Sequence, residues 1–149
     1  MIVIIVTAIL VFDRLTKLFF MQSLSAGQTI PVIKGFFYFT LEYNRGAAFG
    51  ILRNQIPFFI LATSIAIFFI FFHLKRSSAF EKAALGLILA GAIGILIDRI
   101  FFGHVIDFID IHIEPVFYWP VFNIADSAIT VGACILGWLL LCQSLPVKK

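Results

Sequence analysis

Charged residues are scarce in this chain of 149 residues. Asp, Glu, Lys and Arg together make up 13% of the sequence, whereas average globular chains carry roughly twice that fraction. Hydrophobic residues account for 62%, and 19 residues are Phe. This composition excludes an ordinary water-soluble protein and indicates that much of the surface faces lipid. The length allows one domain, which we expect to cover residues 1–149.

Several patterns that mark other functions are also missing. The net charge is +3, but no basic tract with interleaved polar residues indicates nucleic-acid binding. His-Glu-x-x-His, Gly-x-Ser-x-Gly and glycine-rich phosphate loops do not occur. His104 and His112 are too few for a zinc site, so we expect no metal and no cofactor. Cys134 and Cys142 lie eight positions apart in one apolar segment, too far apart along a helix for a disulfide.

Stretches without charge predict the membrane-spanning helices. Residues 55–74 and 127–147 contain no Asp, Glu, Lys or Arg, and each stretch can cross a hydrocarbon core of about 30 Å as a helix. A shorter run, 83–97, is extended by charged residues at both ends. The first segment is apolar through Phe12 and then carries charge, which favours a retained helix over a cleaved signal peptide. The sequence thus predicts a mainly α-helical membrane protein with four transmembrane helices, at about 1–20, 55–74, 82–100 and 126–145.

The connections between these segments indicate how the chain lies in the membrane. Residues 36–43 have strand propensity and partial alternation, which predicts a small extracytoplasmic β-rich segment at the membrane surface. Residues 101–122 combine aromatic residues with aliphatic and acidic ones, as is typical of a membrane–water interface. The 73–82 connection is basic and the chain ends in Lys148-Lys149, so the positive-inside rule places both termini in the cytoplasm. Acidic residues other than Glu81 collect on the opposite side, which indicates a polar site near the outer face.

Aspartates at the edges of the apolar segments are the candidate catalytic groups. Asp107 and Asp126 each follow a hydrophobic run, and ionisable groups at that depth usually mark a functional site. Two carboxylates in one low-dielectric pocket cannot both ionise easily, which is the chemistry of an aspartyl hydrolase. Other interpretations stay open at this point. Asn123 and Asp126 also fit a capping box that opens a helix, Asp107 also fits a solvated loop acid, and Asp110 is a rival for its role.

Three further groups of residues have both a functional and a structural interpretation. The planar guanidinium group of Arg99 can donate hydrogen bonds that orient a carboxylate or a carbonyl. Alternatively, Arg99 and its neighbour Asp98 neutralise each other's charge at the membrane interface. Asp13 and Lys17 are spaced i, i+4 and favour a structural ion pair on one helix face. The segment 44–50 contains small residues that let another backbone approach, although it also fits a glycine-bearing turn. Its Asn44 can donate to and accept from a peptide group.

Taken together, five motifs make the chain resemble the lipoprotein signal peptidase family, also called signal peptidase II. The members of this family are bacterial membrane aspartyl peptidases. The resemblance covers nearly the whole chain, and the motifs follow the order and spacing of the family. They are Asp13-Arg14-Leu15-Thr16-Lys17, Asn44-Arg45-Gly46-Ala47-Ala48-Phe49-Gly50, Gly91-Ala92-Ile93-Gly94 with Ile97-Asp98-Arg99, Gly103-His104-Val105-Ile106-Asp107-Phe108, and Phe122-Asn123-Ile124-Ala125-Asp126-Ser127. One position departs from the family pattern, because the chain has Ile95 where the family usually has Asn.

The resemblance implies a function and a set of site residues. It implies that Asp107 and Asp126, rather than Asp110, are the catalytic dyad of an endopeptidase that cuts diacylglyceryl-modified prolipoproteins before the lipidated cysteine. It further implies a location in the bacterial inner membrane, in contact with lipid. Apart from the resemblance, the single self-contained site predicts a monomer, and the lack of a basic tract predicts no nucleic-acid partner. The substrate-binding residues implied by the resemblance are Asn44, Arg45, Gly46, Arg99 and Asn123, and the residues implied to support the fold are Asp13, Lys17 and Asp98.

Two other classes of protein compete with this interpretation. A small proton-coupled transporter would relay protons through Asp13, Asp98 and Asp126, but such proteins place acids near the bilayer midplane. In this sequence the acids collect at one boundary and the centres of the apolar segments are free of charge. A non-catalytic membrane assembly subunit would tolerate the loss of both Asp107 and Asp126, whereas a peptidase would not.

Overall fold

The computed structural model of the chain describes residues 1–47, 51–113 and 115–144. Ala48, Phe49 and Gly50 of the small-residue segment, and the C-terminal lysines, lie outside the described residues. The helices are α1 (Ile2–Ser23), α2 (Ile56–Leu74), α3 (Ala79–Phe102) and α4 (Ile124–Ser144). The strands are β1 (Thr29–Ile33), β2 (Phe37–Asn44), β3 (Val105–Ile113) and β4 (Phe117–Tyr118).

Three helices in the described part of the chain are long and apolar enough to cross a membrane, namely α2, α3 and α4. The helix α1 has 22 residues but carries Asp13, Arg14 and Lys17, so its crossing of the membrane stays a prediction. The helix α3 begins earlier than the sequence predicted. Ser78 and Glu81 form a capping box there, in which each side chain accepts a hydrogen bond from the other residue's backbone N–H.

The sheet is antiparallel, with strand order β1-β2-β3-β4. The predicted strand at 36–43 is confirmed as β2, but β3 was not predicted from the sequence. Residues of β3 are buried on both faces from Val105 to Phe108, so the apolar–polar alternation that marks a half-exposed strand is absent. The structure therefore places Asp107 in a buried strand and not in a solvated loop.

A small apolar core joins the sheet to the C-terminal end of α1. It contains Phe20, Leu24, Leu41, Ile106 and Phe108. The rings of Phe20 and Phe108 stack with their centroids 4.4 Å apart. Because Ile106 and Phe108 flank Asp107 in β3, this core fixes the strand on which that carboxylate lies.

Glycines let α3 approach α4 closely. A Cβ atom on Gly91 would overlap the carbonyl oxygen of Ala125, and one on Gly132 would lie 2.7 Å from the carbonyl oxygen of Ala84. Both atoms belong to backbone, which cannot move aside as a flexible side chain would. The absence of these side chains therefore sets the distance between α3 and the first turn of α4, where Asp126 lies.

We expect Gly91→Ala to lower the free energy of unfolding by about 1–3 kcal/mol, because the added methyl group forces the two helices apart. The matched control is Gly137→Ala on α4, where a new Cβ would meet nothing within 4 Å among the described residues. The control should be neutral or stabilising by roughly 0.5–1 kcal/mol, since Gly is a poor helix residue. Unfolding of the detergent-solubilised protein measures both values. Equal effects of the two substitutions would contradict the close approach at Gly91.

Candidate active site

The Asp107 carboxylate is held by two amide side chains from different elements. Its Oδ1 accepts a hydrogen bond from Asn123 Nδ2 at 2.6 Å, and its Oδ2 accepts one from Asn44 Nδ2 at 3.1 Å. Asn44 ends β2, which pairs with β3, and Asn123 directly precedes α4. With 2% of its surface exposed, Asp107 is oriented by its neighbours and not by water.

Asp126 lies in the first turn of α4, and Asn123 connects it to Asp107. The Asn123 Oδ1 accepts from the Asp126 N–H at 2.9 Å, and the Asp126 Oδ2 accepts from the Asn123 N–H at 3.2 Å. This is the capping-box geometry that the sequence predicted. The Nδ2 of the same asparagine donates to Asp107. The buried side chain of Asn123 thus caps α4 and also orients the Asp107 carboxylate. Its interpretation as a helix cap and its interpretation as a site residue are therefore compatible.

Asp107 and Asp126 line one cavity of about 220 Å³. Asn44 lies in its wall, as do Ile129 and Thr130 of α4. The remaining wall is formed by residues 119–122. The structure therefore brings the two predicted aspartates together, although they come from a strand and a helix separated by the β4 connection.

Burial raises the pKa of Asp107 to about 7, and the carboxylate of Asp126 adds to this rise. The hydrogen bonds from Asn44 and Asn123, and the charge of Lys17, act in the opposite direction. A carboxyl group with such a pKa is protonated roughly half the time at neutral pH. Asp107 can therefore hold or release a proton under physiological conditions, as general acid–base chemistry requires.

Asp110, the sequence rival of Asp107, belongs to a different polar cluster. Its Oδ2 accepts from the Thr40 hydroxyl at 2.6 Å, and its Oδ1 lies 2.7 Å from His112 Nδ1. It lines a separate cavity of about 460 Å³, together with Tyr38 and other residues. Residues three apart on a strand project to opposite faces, which explains why Asp107 and Asp110 do not share a cavity in the described part of the chain.

Arg99 is buried behind the segment that follows β2. Its Nη2 donates to the carbonyl oxygen of Gly46 at 3.0 Å, and its Cζ lies 4.2 Å from the ring centroid of Phe59, which is a cation–π arrangement. Its charge acts on Asp126 and Asp107. In the described residues Arg99 does not line the cavity of the two aspartates, whereas Arg45 and Gly46 line a neighbouring cavity of about 370 Å³.

The three residues expected to support the fold form one buried ion-pair cluster. Asp13 and Lys17 make the predicted i, i+4 ion pair at 2.8 Å. Lys17 also pairs with Asp98, again at 2.8 Å. Arg14 Nη2 lies 2.9 Å from Asp98 Oδ1, close enough for an ion pair but not aligned as a hydrogen bond. The spacing along α1 predicted the first pair, but the contacts with Asp98 depend on how α1 and α3 pack.

Sequence reasoning missed the role of residues 119–121. Trp119, Pro120 and Val121 line all three cavities, including the one between the aspartates. The aromatic composition of residues 101–122, which include these three, predicted only an interfacial position. A proline after a short strand indicates that the strand ends there, but no local signal shows which surface the following residues face.

The fold and the site together define a membrane protein with two carboxylates in one cavity, and two carboxylates in one site are what the chemistry of an aspartyl hydrolase requires. A family model described as signal peptidase (SPase) II matches residues 5–142. A lipoprotein signal peptidase from Halothermothrix orenii is 42% identical over 91% of this chain and 92% of its own length. One from Syntrophotalea carbinolica is 43% identical over 93% and 88%.

A solved bacterial membrane enzyme has a similar structure. It superposes with a TM-score of 0.91 at 34% identity, over 99% of this chain and 92% of that one. Another bacterial membrane enzyme gives a TM-score of 0.84 at 33% identity, over 94% and 92%. The chain belongs to the signal peptidase II family.

We expect Asn123→Ala to lower kcat by roughly 10- to 100-fold, because it removes a hydrogen bond to a buried carboxylate. Loss of the helix cap should also lower the free energy of unfolding by about 1 kcal/mol. The matched control is Gln143→Ala, which removes an exposed amide near the other end of α4 and should change kcat less than about two-fold. Steady-state peptidase kinetics measure both variants. Parent-like kcat in Asn123→Ala would contradict the linking role of this asparagine.

Proposed function

We propose that this protein is an endopeptidase that removes the signal peptide from diacylglyceryl-modified prolipoproteins by cutting before the lipidated cysteine. Membership of the signal peptidase II family supports this activity. The observation that carries the assignment of the site is the shared cavity of Asp107 and Asp126. The pKa of Asp107, raised to about 7, suits a group that exchanges a proton during the reaction.

The proposed catalytic step uses both aspartates. One of them takes a proton from a water molecule, whose oxygen attacks the carbonyl carbon of the peptide bond before the cysteine. The other donates its proton to the carbonyl oxygen. The tetrahedral intermediate then collapses and the C–N bond breaks. The departing amine takes up the proton that the first aspartate removed from water, and one hydroxyl group of the intermediate returns a proton to the second aspartate, so the pair again holds one proton. The shared proton belongs to the pair and not to either residue, so the titration has two macroscopic steps.

The substrate peptide is proposed to bind beside this pair. Asn44 lines the cavity, and its amide has both donor and acceptor atoms for a peptide group. Arg45 and Gly46 line the adjoining cavity, where an extended peptide has room to continue. Arg99 holds the Gly46 carbonyl, and Asn123 orients Asp107, so these two residues act on the substrate through the groups they position.

The proposed arrangement in the membrane is a single integral-membrane domain over residues 1–149 with α1 as a fourth transmembrane helix. The connection from α1 to α2 and the connection from α3 to α4 both contribute strands to one sheet, so the sheet and the site lie at the same end of the helices. The basic turn between α2 and α3 lies at the other end, which supports cytoplasmic termini and a site near the outer face. Lipid chains of the substrate then stay in the bilayer during cleavage. Both carboxylates come from one chain, which supports a monomer.

The transporter and assembly-subunit interpretations are less well supported. Asp13 and Asp98 are each paired with the same buried ammonium group, an arrangement that disfavours the repeated protonation of a relay. An assembly subunit has no use for two carboxylates in one cavity, because burying them costs free energy.

We expect Asp107→Asn and Asp126→Asn each to reduce cleavage by about 10³-fold or more, because asparagine keeps the shape of the side chain but cannot transfer the proton. The measurement is cleavage of a diacylglyceryl-modified prolipoprotein by the purified protein in lipid. Asp110→Asn is the matched control on the same strand, and it should keep activity within about three-fold. Full activity in either dyad variant would refute the proposed roles, and an inactive parent would refute the proposed function.

We expect kcat/KM to depend on pH as a bell-shaped curve. Because the pKa of Asp107 is raised to about 7, the pair loses its shared proton as the pH rises through this value, and activity falls on the alkaline side. On the acid side the second carboxylate becomes protonated, and the base is lost. Initial rates of prolipoprotein cleavage between about pH 4 and pH 9 measure the curve. A rate that only increases with pH would contradict the shared proton.

A further inference from the structure

Lys17 is a fully buried ammonium group that the proposed reaction does not use. Its exposed fraction is 0%. Its Nζ lies 2.8 Å from Asp13 Oδ2 on its own helix and 2.8 Å from Asp98 Oδ2 on α3. Taking a lysine charge out of water is costly in free energy, so a position like this is kept only with excellent partners or for a purpose beyond stability.

The two carboxylates paired with Lys17 also bind backbone next to the two catalytic aspartates. Asp13 Oδ1 accepts a hydrogen bond from the Ala125 N–H at 3.0 Å, and Ala125 directly precedes Asp126. Asp98 Oδ2 accepts one from the Ile106 N–H at 3.3 Å, and Ile106 directly precedes Asp107. Asp13 therefore binds the helix that carries Asp126, and Asp98 binds the strand that carries Asp107.

We propose that Lys17 is a positioning residue that sets the relative placement of Asp107 and Asp126 by holding Asp13 and Asp98 on one ammonium group. This inference rests on the proposed function. We call the arrangement of Lys17, Asp13 and Asp98 the charge clamp. It acts on the backbone that carries the dyad, whereas Asn123 acts on the Asp107 side chain directly.

The packing around Asp13 supports this role. A Cβ on Gly94 of α3 would lie 3.0 Å from Asp13 Oδ2 and 3.3 Å from the Cβ of Ala125. The carboxylate therefore lies in a narrow space between α3 and α4, where a methyl group added to Gly94 would be in tight contact with it. A side chain confined in this way transmits the position of Lys17 to Ala125 with little freedom to relax.

Arg14 offers a matched control within the same cluster. It is partly exposed, at 27% of its side chain, and its Nη2 lies 2.9 Å from Asp98 Oδ1. The oxygen that binds the Ile106 N–H is Oδ2, which is also the oxygen paired with Lys17. Removal of Arg14 thus takes one charge from Asp98 and leaves both backbone contacts of the charge clamp in place.

The experiment compares kcat and KM for prolipoprotein cleavage in the parent, Lys17→Met and Arg14→Met. We expect Lys17→Met to lower kcat by about 100-fold, the loss that a misplacement of about 1 Å produces. KM should stay within about three-fold of the parent, because the proposed substrate contacts lie elsewhere. Arg14→Met should keep kcat within about three-fold of the parent.

A second readout is the alkaline limb of the pH–rate curve. The charge of Lys17 opposes the rise in the pKa of Asp107, so the limb should move to higher pH in Lys17→Met and stay in place in Arg14→Met. This shift reports the charge of Lys17 near Asp107, whereas a loss of kcat at unchanged KM reports its positioning role. The charged groups of this region are Asp13 and Arg14 on α1, Asp98 and Arg99 on α3, Asp107 on β3 and Asp126 on α4.

A second variant covers the case in which Lys17→Met does not fold. Asp13→Asn combined with Lys17→Met removes one charge of each sign, keeps an oxygen acceptor for the Ala125 N–H, and leaves Asp98 paired with Arg14. If this variant folds and its kcat is still about 100-fold low, the inference stands.

Parent-like kcat in either folded variant would overturn the inference, and so would the failure of both variants to fold, since Lys17 would then supply stability only. A parent protein that does not cleave prolipoprotein would instead refute the proposed function, and this inference with it.

Discussion

The free-energy cost of burying charge is the constraint on which the rest of this structure depends. Asp13, Lys17, Asp98 and Asp107 are each at most 2% exposed, in a chain where few residues carry charge at all. Such groups persist only when ion pairs and hydrogen bonds replace the water that they lose. The helices α1, α3 and α4 must therefore meet at one place, because their residues supply these ion pairs and hydrogen bonds. The positions of the paired residues determine how closely the helices pack.

Close helix packing and the polar contacts depend on each other. The Asp13 carboxylate accepts a hydrogen bond from the backbone N–H of Ala125 beside Gly94, where an added Cβ would lie 3.0 Å from Asp13 Oδ2. At Gly91 the helices α3 and α4 approach until their backbones are nearly in contact. A membrane protein gains little from burying apolar surface against neighbouring helices, because lipid is equally apolar, so small residues and buried polar contacts supply the association.

The two aspartates of the cavity are held by different kinds of hydrogen-bond donor. Asp107 accepts from two amide side chains and is almost fully buried, and its pKa is raised to about 7. Asp126 accepts from a backbone N–H in the first turn of a helix, where the helix dipole favours negative charge. Asp110 shows the contrast, because a hydroxyl and a histidine occupy its oxygens outside this cavity.

The sequence by itself determined the features that depend on neighbouring residues. These were the apolar helices, the strand β2, the Asp13–Lys17 pair and the capping box at Asn123, since hydropathy and spacing act over a few residues. The family motifs implied that Asp107 rather than Asp110 is catalytic, a choice that spacing left open. Only the tertiary structure decided that β3 is buried on both faces, that Lys17 also pairs with Asp98, and that Trp119 lines the cavity. These contacts join residues far apart in the chain, so they depend on how helices and strands pack, and no local pattern encodes that packing.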